Sequence, residues 1–184
     1  MKRVNSHYLL IVALLGLSTL FDSSYPLAKA QSEPKPGCQA TVDKILQEIR
    51  SKGVNKVSFR ISKGTANKDR IGNPTNRTDE LLIVLDPNPL YKRSQQSVLS
   101  NANLIEKILE SKEPGNWADY IVSNCSNTAI VSFLLYGSDY LIDFYVQSDG
   151  TTKFGKCGNK RSGTPYIPPY SWGISYCAGV DTER

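Results

Sequence analysis

The 184-residue chain carries 22 Lys and Arg, 17 Asp and Glu, and a single histidine, His7. Setting aside Lys2, Arg3, Lys29 and Asp22 of an N-terminal leader, 19 basic residues face 16 acidic ones, a net charge of about +3. So mild a balance, with no basic stripe, argues against nucleic-acid binding. A chain without histidine beyond the leader excludes Ser-His-Asp and Cys-His catalysis, histidine metal sites and the usual pH switch near neutrality.

The leader is read from three features in order. Lys2 and Arg3 form a basic start, Leu9 to Phe21 is an apolar run, and Ala28-Lys29-Ala30 supplies a small–x–small cleavage pattern. This is the layout of a secretory signal peptide spanning 1–30. Its apolar run falls short of the ~20 residues that cross a membrane, so no stable span is expected after cleavage. No cysteine near Ala30 favours a lipid anchor. Export to the periplasm, the thylakoid lumen or the medium follows. Gln31 to Gly37 is a polar, proline-rich lead-in, and 38–184 reads as a single domain.

Val42, Ile45, Leu46 and Ile49 recur at helical spacing, which predicts an amphipathic helix with Gly53 as its stop. The period then changes. Val57, Phe59 and Ile61 alternate with Lys56, Ser58 and Arg60, as in a half-buried strand. Lys63 to Glu80 is a long polar loop, and loops of that length are often functional. Leu81 to Asp86 is continuous and mostly apolar, ended by Pro87 and Pro89. It reads as a strand covered on both faces and paired with the first. Asn76 and Asn124 match glycosylation sequons, the second at a cysteine better used in a disulfide.

Val98, Leu99, Ala102, Ile105, Ile108 and Leu109 form a second helical stripe, with Pro114 and Gly115 as its end. The next segment fits a helix through Ala118, Ile121, Val122 and Cys125, capped by Asn116, or a strand through Tyr120, Val122 and Asn124. The helix is preferred. Three strands follow (TAIVSFLLY, YLIDFYVQ and TTKFGKC), joined by turns at Gly137–Asp139 and Ser148–Gly150. The fold class is therefore α+β: an antiparallel sheet with two or three helices packed on one face, and a C-terminal tail stapled by a disulfide.

Cys38, Cys125, Cys157 and Cys177 all lie in the exported part. An even count in an oxidising compartment reads as two disulfides, and four cysteines allow three pairings. The favoured set is Cys157–Cys177 with Cys38–Cys125. The short loop closed by the first would contribute ~3 kcal/mol. No C-x₂-C spacing supports zinc, and no cofactor is expected.

The stretches NCSNTAIVSF, DGTTKFGKC and SWGISYC, over roughly the last 65 residues, carry a pattern of cysteine, tryptophan and glycine. The pattern resembles the tail of small, uncharacterised exported proteins of cyanobacteria. The resemblance implies export. It brings no site residues with it, and the loop at Lys63 to Glu80 lies outside it.

Candidate chemistry is sparse. Asp139 and Asp143 with Asp86 or Asp149 offer carboxylates for glycoside hydrolysis or calcium, yet Asp86 and Asp149 sit where turns form. No G-x-S-x-G elbow occurs in the exported part. Of the aromatics Phe133, Tyr136, Tyr140, Phe144 and Tyr145, the two phenylalanines read as core and Tyr140 as half-exposed. The uncharged stretch GTPYIPPYSWGISYC presents Tyr166, Tyr170 and Trp172 between prolines. It reads as a seam at Trp172 and Tyr176, and as a contact surface at Tyr166 and Tyr170. The expected function is a non-enzymatic exported binding or structural module whose partner is a protein or an envelope component. The alternatives are a protein-directed inhibitor using the Cys157–Cys177 loop and a carboxylate-based hydrolase.

Overall fold

The computed structural model describes residues 37–88, 94–157 and 169–175. Helix α1 (Cys38–Ser51) buries Thr41, Val42, Ile45, Leu46 and Ile49, the predicted stripe plus one threonine. It stops just before Gly53, whose φ of 98° suits glycine and few other residues. Strand β1 (Lys56–Ser62) follows, then a loop containing the short β2 (Arg70–Ile71), then β3 (Asp79–Asp86). β1 and β3 pair antiparallel, with Val57 opposite Leu85 and Ile61 opposite Leu81. In β3, Leu81, Ile83 and Leu85 are fully buried while Leu82 and Val84 are only half-buried. The expectation of a strand covered equally on both faces is corrected accordingly. One face meets the helices and the other has a partial cover.

Ser94 caps α2 (Gln95–Leu109) through a reciprocal capping box with Ser97. Ile105, Ile108 and Leu109 turn inward, but Leu99 is 57% exposed, so the stripe is narrower than its sequence pattern. Pro114 and Gly115 do not end this helix. They sit at the start of α3 (Glu113–Asn124), where a proline lacks no needed hydrogen bond. The cap falls at Lys112 rather than Asn116 for the same reason. Trp117, Ala118, Ile121 and Val122 face the core.

β4 (Thr128–Leu135), β5 (Leu141–Val146) and β6 (Thr152–Phe154) form the expected antiparallel meander. The sheet order is β1-β3-β4-β5-β6. One pairing departs from the all-antiparallel expectation: β3 and β4 run parallel. The two helices between them carry the chain back to the end from which β3 started, as parallel neighbours require. Short strands β7 (Lys156–Cys157), β8 (Tyr170–Ser171) and β9 (Ile174–Ser175) complete the described chain. β8 pairs with β2, and β9 with β7.

The main core lies between helices and sheet. It joins Val42, Ile45 and Ile49 to Leu81, Ile83, Leu85, Val131, Phe133, Ile142 and Phe144. A disulfide between Cys38 and Cys125 ties the start of α1 to the residue after α3. Toward the other end of the same helix pair, Trp117 Nε1 donates to Glu48 Oε2 at 3.0 Å, and Lys52 Nζ meets Glu113 Oε1 at 2.9 Å. The disulfide described is therefore in the helix layer and not in the tail. The Cys157–Cys177 pairing lies outside the described residues, because Cys177 does. Among the described residues no helix is long and apolar enough to cross a membrane.

The Cys38–Cys125 link spans 87 residues, and loops of that size restrict the unfolded chain strongly. Replacing both cysteines by alanine is expected to lower the unfolding free energy by about 3–5 kcal/mol in a urea titration.

Candidate functional site

The second face of the sheet is closed at one end by the tail. Tyr145, on β5, is fully buried there, although strand alternation aims it away from the helices. Arg70 Nε donates to its hydroxyl at 3.3 Å, the hydroxyl donates to the Ile174 carbonyl at 3.0 Å, and it shares a further bond of 3.1 Å with Ser175 Oγ. Arg70 Nη1 also holds Glu80 Oε1 at 2.6 Å. Two residues before Tyr145 on β5, Asp143 Oδ1 accepts from Ser132 Oγ of β4 at 2.6 Å, and Asp143 is 6% exposed. Trp172 packs edge-on to the Tyr145 ring at 5.3 Å and donates from Nε1 to the Val146 carbonyl.

Gly155 makes this closure possible. A Cβ there would lie 2.5 Å from Ser175 Oγ and 2.6 Å from Tyr145 Cε2. Arg77 anchors the long loop from the other side. Its Nη1 donates to the carbonyls of Val122 at 2.6 Å and Thr128 at 3.2 Å, where α3 ends. The polar loop is thus bound to the frame by two arginines that its composition had merged with other solvated charge.

A different site opens at the junction of α2 and α3 with β5 and β6. A surface pocket of 510 Å³ is lined by Tyr140, Ile142, Phe144 and Phe154 below, with Glu110, Lys112, Asn116 and Asp119 above. Phe154 is 54% exposed and meets Phe144 edge to face at 5.6 Å. Asp119 Oδ1 accepts from Thr152 N at 2.7 Å and from Thr152 Oγ1 at 2.8 Å, which fixes the helix against β6. A Cβ at Gly115 would stand 3.5 Å from the Phe144 ring, an ordinary packing contact. Among the described residues, the side chains of Glu110, Lys112, Asn116 and Tyr140 have no hydrogen-bond partner. Burial pushes the Tyr140 hydroxyl pKa up, and the Glu110 and Glu106 carboxylates push it the same way.

The sequence candidates divide between these places. Tyr140 lines the pocket. Trp172 is committed to Tyr145 and belongs to the seam. Tyr170 sits in β8, opposite Arg70. Tyr166 lies outside the described residues. The four carboxylates do not converge. Asp139 is exposed in the β4–β5 turn, Asp143 is buried against Ser132, and Asp86 pairs with Lys56 at 3.6 Å. Asp149 accepts the Thr151 backbone N–H and hydroxyl in the hairpin turn, and these bonds hold its pKa below the usual carboxylate value. No group of three His, Cys, Asp or Glu suited to a metal occurs among the described residues. Sequence reasoning missed Phe154, Glu110 and Asn116. The exposed phenylalanine after two threonines was their only local signal.

The fold and these sites define a disulfide-linked α+β protein with a tail-sealed sheet and one amphipathic pocket of ligand size. No protein-family model, curated protein or solved structure matches the chain.

Two outcomes follow. Gly155→Ala is expected to destabilise by about 1–3 kcal/mol through overpacking, with faster protease cleavage of the tail than in the parent. For Tyr145, burial first and Asp143 second raise the hydroxyl pKa, against the opposing pull of Ser175 and Arg70. The neutral form is favoured in the fold, so the stability this adds is full below the ordinary tyrosine value of about 10 and is lost as pH climbs through the higher folded value. Unfolding free energy measured against pH should fall above about 10. Tyr145→Phe should flatten that fall and cost about 1–3 kcal/mol at neutral pH.

Proposed function

We propose that the protein is an exported, non-enzymatic binding module of the cell envelope, and that its ligand enters the pocket between α2, α3, β5 and β6. The observation that carries this reading is the pocket itself. It has an aromatic floor with Phe154 half in solvent, beneath a polar rim in which the side chains of Glu110, Lys112 and Asn116 make no hydrogen bonds among the described residues. Small-molecule sites have this composition: apolar walls for area and a few convergent polar groups for orientation. Its volume falls within the range such ligands need.

Two further features support binding over catalysis. The chain beyond the leader has no histidine to act as a base. Its candidate carboxylates serve turns, an ion pair and a buried hydrogen bond in separate places. Export is supported by the leader and by a disulfide of the kind that persists in oxidising compartments. The resemblance of the tail to exported cyanobacterial proteins agrees with it.

The test uses soluble glycan–peptide fragments of the cell wall added to the isotope-labelled protein. Amide shifts are expected at 109–119, 140–144 and 154. Phe154→Ala should weaken binding about tenfold while lowering stability by about 0.5–1.5 kcal/mol through loss of its contact with Phe144, which leaves the protein folded. Shifts confined to the tail residues 169–175 would instead move the site to the seam and sink the pocket reading.

A further inference from the structure

This inference rests on the pocket reading and names the group that the pocket holds. We infer that the pocket takes an organic ammonium: a positively charged amine on an apolar stem.

The argument begins with what lies within reach of a ligand. Tyr140 and Phe154 supply partly exposed aromatic rings, with the nearly buried Phe144 ring behind them. Glu110 and Asp119 supply two carboxylates, and Lys112 is the opposing charge on the rim. Glu106, one turn earlier on α2, adds a third negative charge close enough to act on the Tyr140 hydroxyl. These three carboxylates outnumber the one lysine at the mouth, and the floor is aromatic. A cation gains from both, since ring faces carry negative electrostatic potential. An anion gains from neither, and a neutral sugar gains only from stacking.

The same protein already shows this chemistry satisfied from within. Lys52 Nζ lies 6.0 Å from the Trp117 ring centroid and 2.9 Å from Glu113 Oε1. Lys44 Nζ lies 4.7 Å from the Tyr120 ring. Arg70 lies 5.6 Å from the Tyr145 ring and holds Glu80. Two of these three cations, Lys52 and Arg70, lie beside an aromatic ring and a carboxylate together. The pocket repeats that pairing of ring and acid. Yet among the described residues no Lys or Arg lies over Tyr140, Phe144 or Phe154.

The geometry also shapes the rest of the ligand. Phe144 and Phe154 meet at 75°, which leaves a corner between rings with Ile142 beside it. That corner suits an alkyl or aryl stem, while the ammonium points to Glu110. Asn116 is placed to accept or donate one further hydrogen bond at the mouth. Two sources share this chemistry: a free arylalkyl amine, and the lysine side chain of a protein or wall peptide.

The experiment titrates the full-length exported protein with four probes and follows the amide shifts of the pocket. The probes are phenethylammonium, its uncharged isostere phenethyl alcohol, Nα-acetyl-lysine amide and maltotriose. Phenethylammonium is expected to bind about tenfold more tightly than the alcohol. That advantage should shrink as salt rises from about 10 mM to about 500 mM. Glu110→Gln should remove most of the advantage without changing affinity for the alcohol. Phe154→Ala should weaken both probes. If the lysine derivative equals or exceeds phenethylammonium, the cation comes from a side chain; if it is weaker, from a free amine. Equal binding of the alcohol, or tighter binding of maltotriose with the same shifts, would overturn the ammonium and leave the pocket as the ligand site. A pocket undisturbed by all four probes would overturn both.

Discussion

The bond between Cys38 and Cys125 fixes the corner from which the rest of the molecule is hung. It joins the start of α1 to the end of α3, so the two helices meet the sheet as one layer. The corner is used a second time by Arg77, whose guanidinium takes up the carbonyls at the end of α3. Those carbonyls are among the four that a helix leaves unsatisfied at its C-terminus. A positive charge there also suits the helix dipole. The layer above the sheet and the loop beneath it are therefore held at one point, and α3 runs from that point to the pocket.

The two faces of the sheet are built on different chemistry. The helix face is almost wholly apolar, from Leu81 and Phe133 to Phe144. Among the described residues the other face is covered at one end, by a seal that combines a small apolar cluster (Ile130, Tyr145, Val146) with a polar chain through Arg70, Glu80 and Ser175. Buried polar groups tolerate few arrangements, because each lost partner carries a desolvation cost. The tail is thereby held in one register against β5. Trp172 follows the same logic, with its ring on Tyr145 and its N–H on the backbone.

Much of this was legible in order along the chain. The helical stripe of Val42 to Ile49, the alternation of Val57 and Phe59, and the hairpin at Asp149-Gly150 each depend on neighbours in sequence, and each formed as read. What escaped was long-range. Periodicity does not encode strand direction, so the parallel β3–β4 pair was invisible until two helices were seen to lie between them. Pro114 punctuates a chain equally well at the end of one helix or the start of the next, and only the fold decides. The pocket draws on segments some 40 residues apart in sequence, from Leu109 to Phe154, so only Tyr140 hinted at it. Gly155 looked like any loop glycine. Its role is set by Tyr145 and Ser175, which close on it from either side.

Cys38 and Cys125 are the first and second cysteines of the chain. A polypeptide that emerges N-terminus first presents them in that order, before Cys157 appears. A thiol oxidant that accepts the two electrons and joins each newly arrived thiol to the one already waiting therefore yields the Cys38–Cys125 link directly. A link between consecutive cysteines is the one that N-to-C delivery forms without reshuffling.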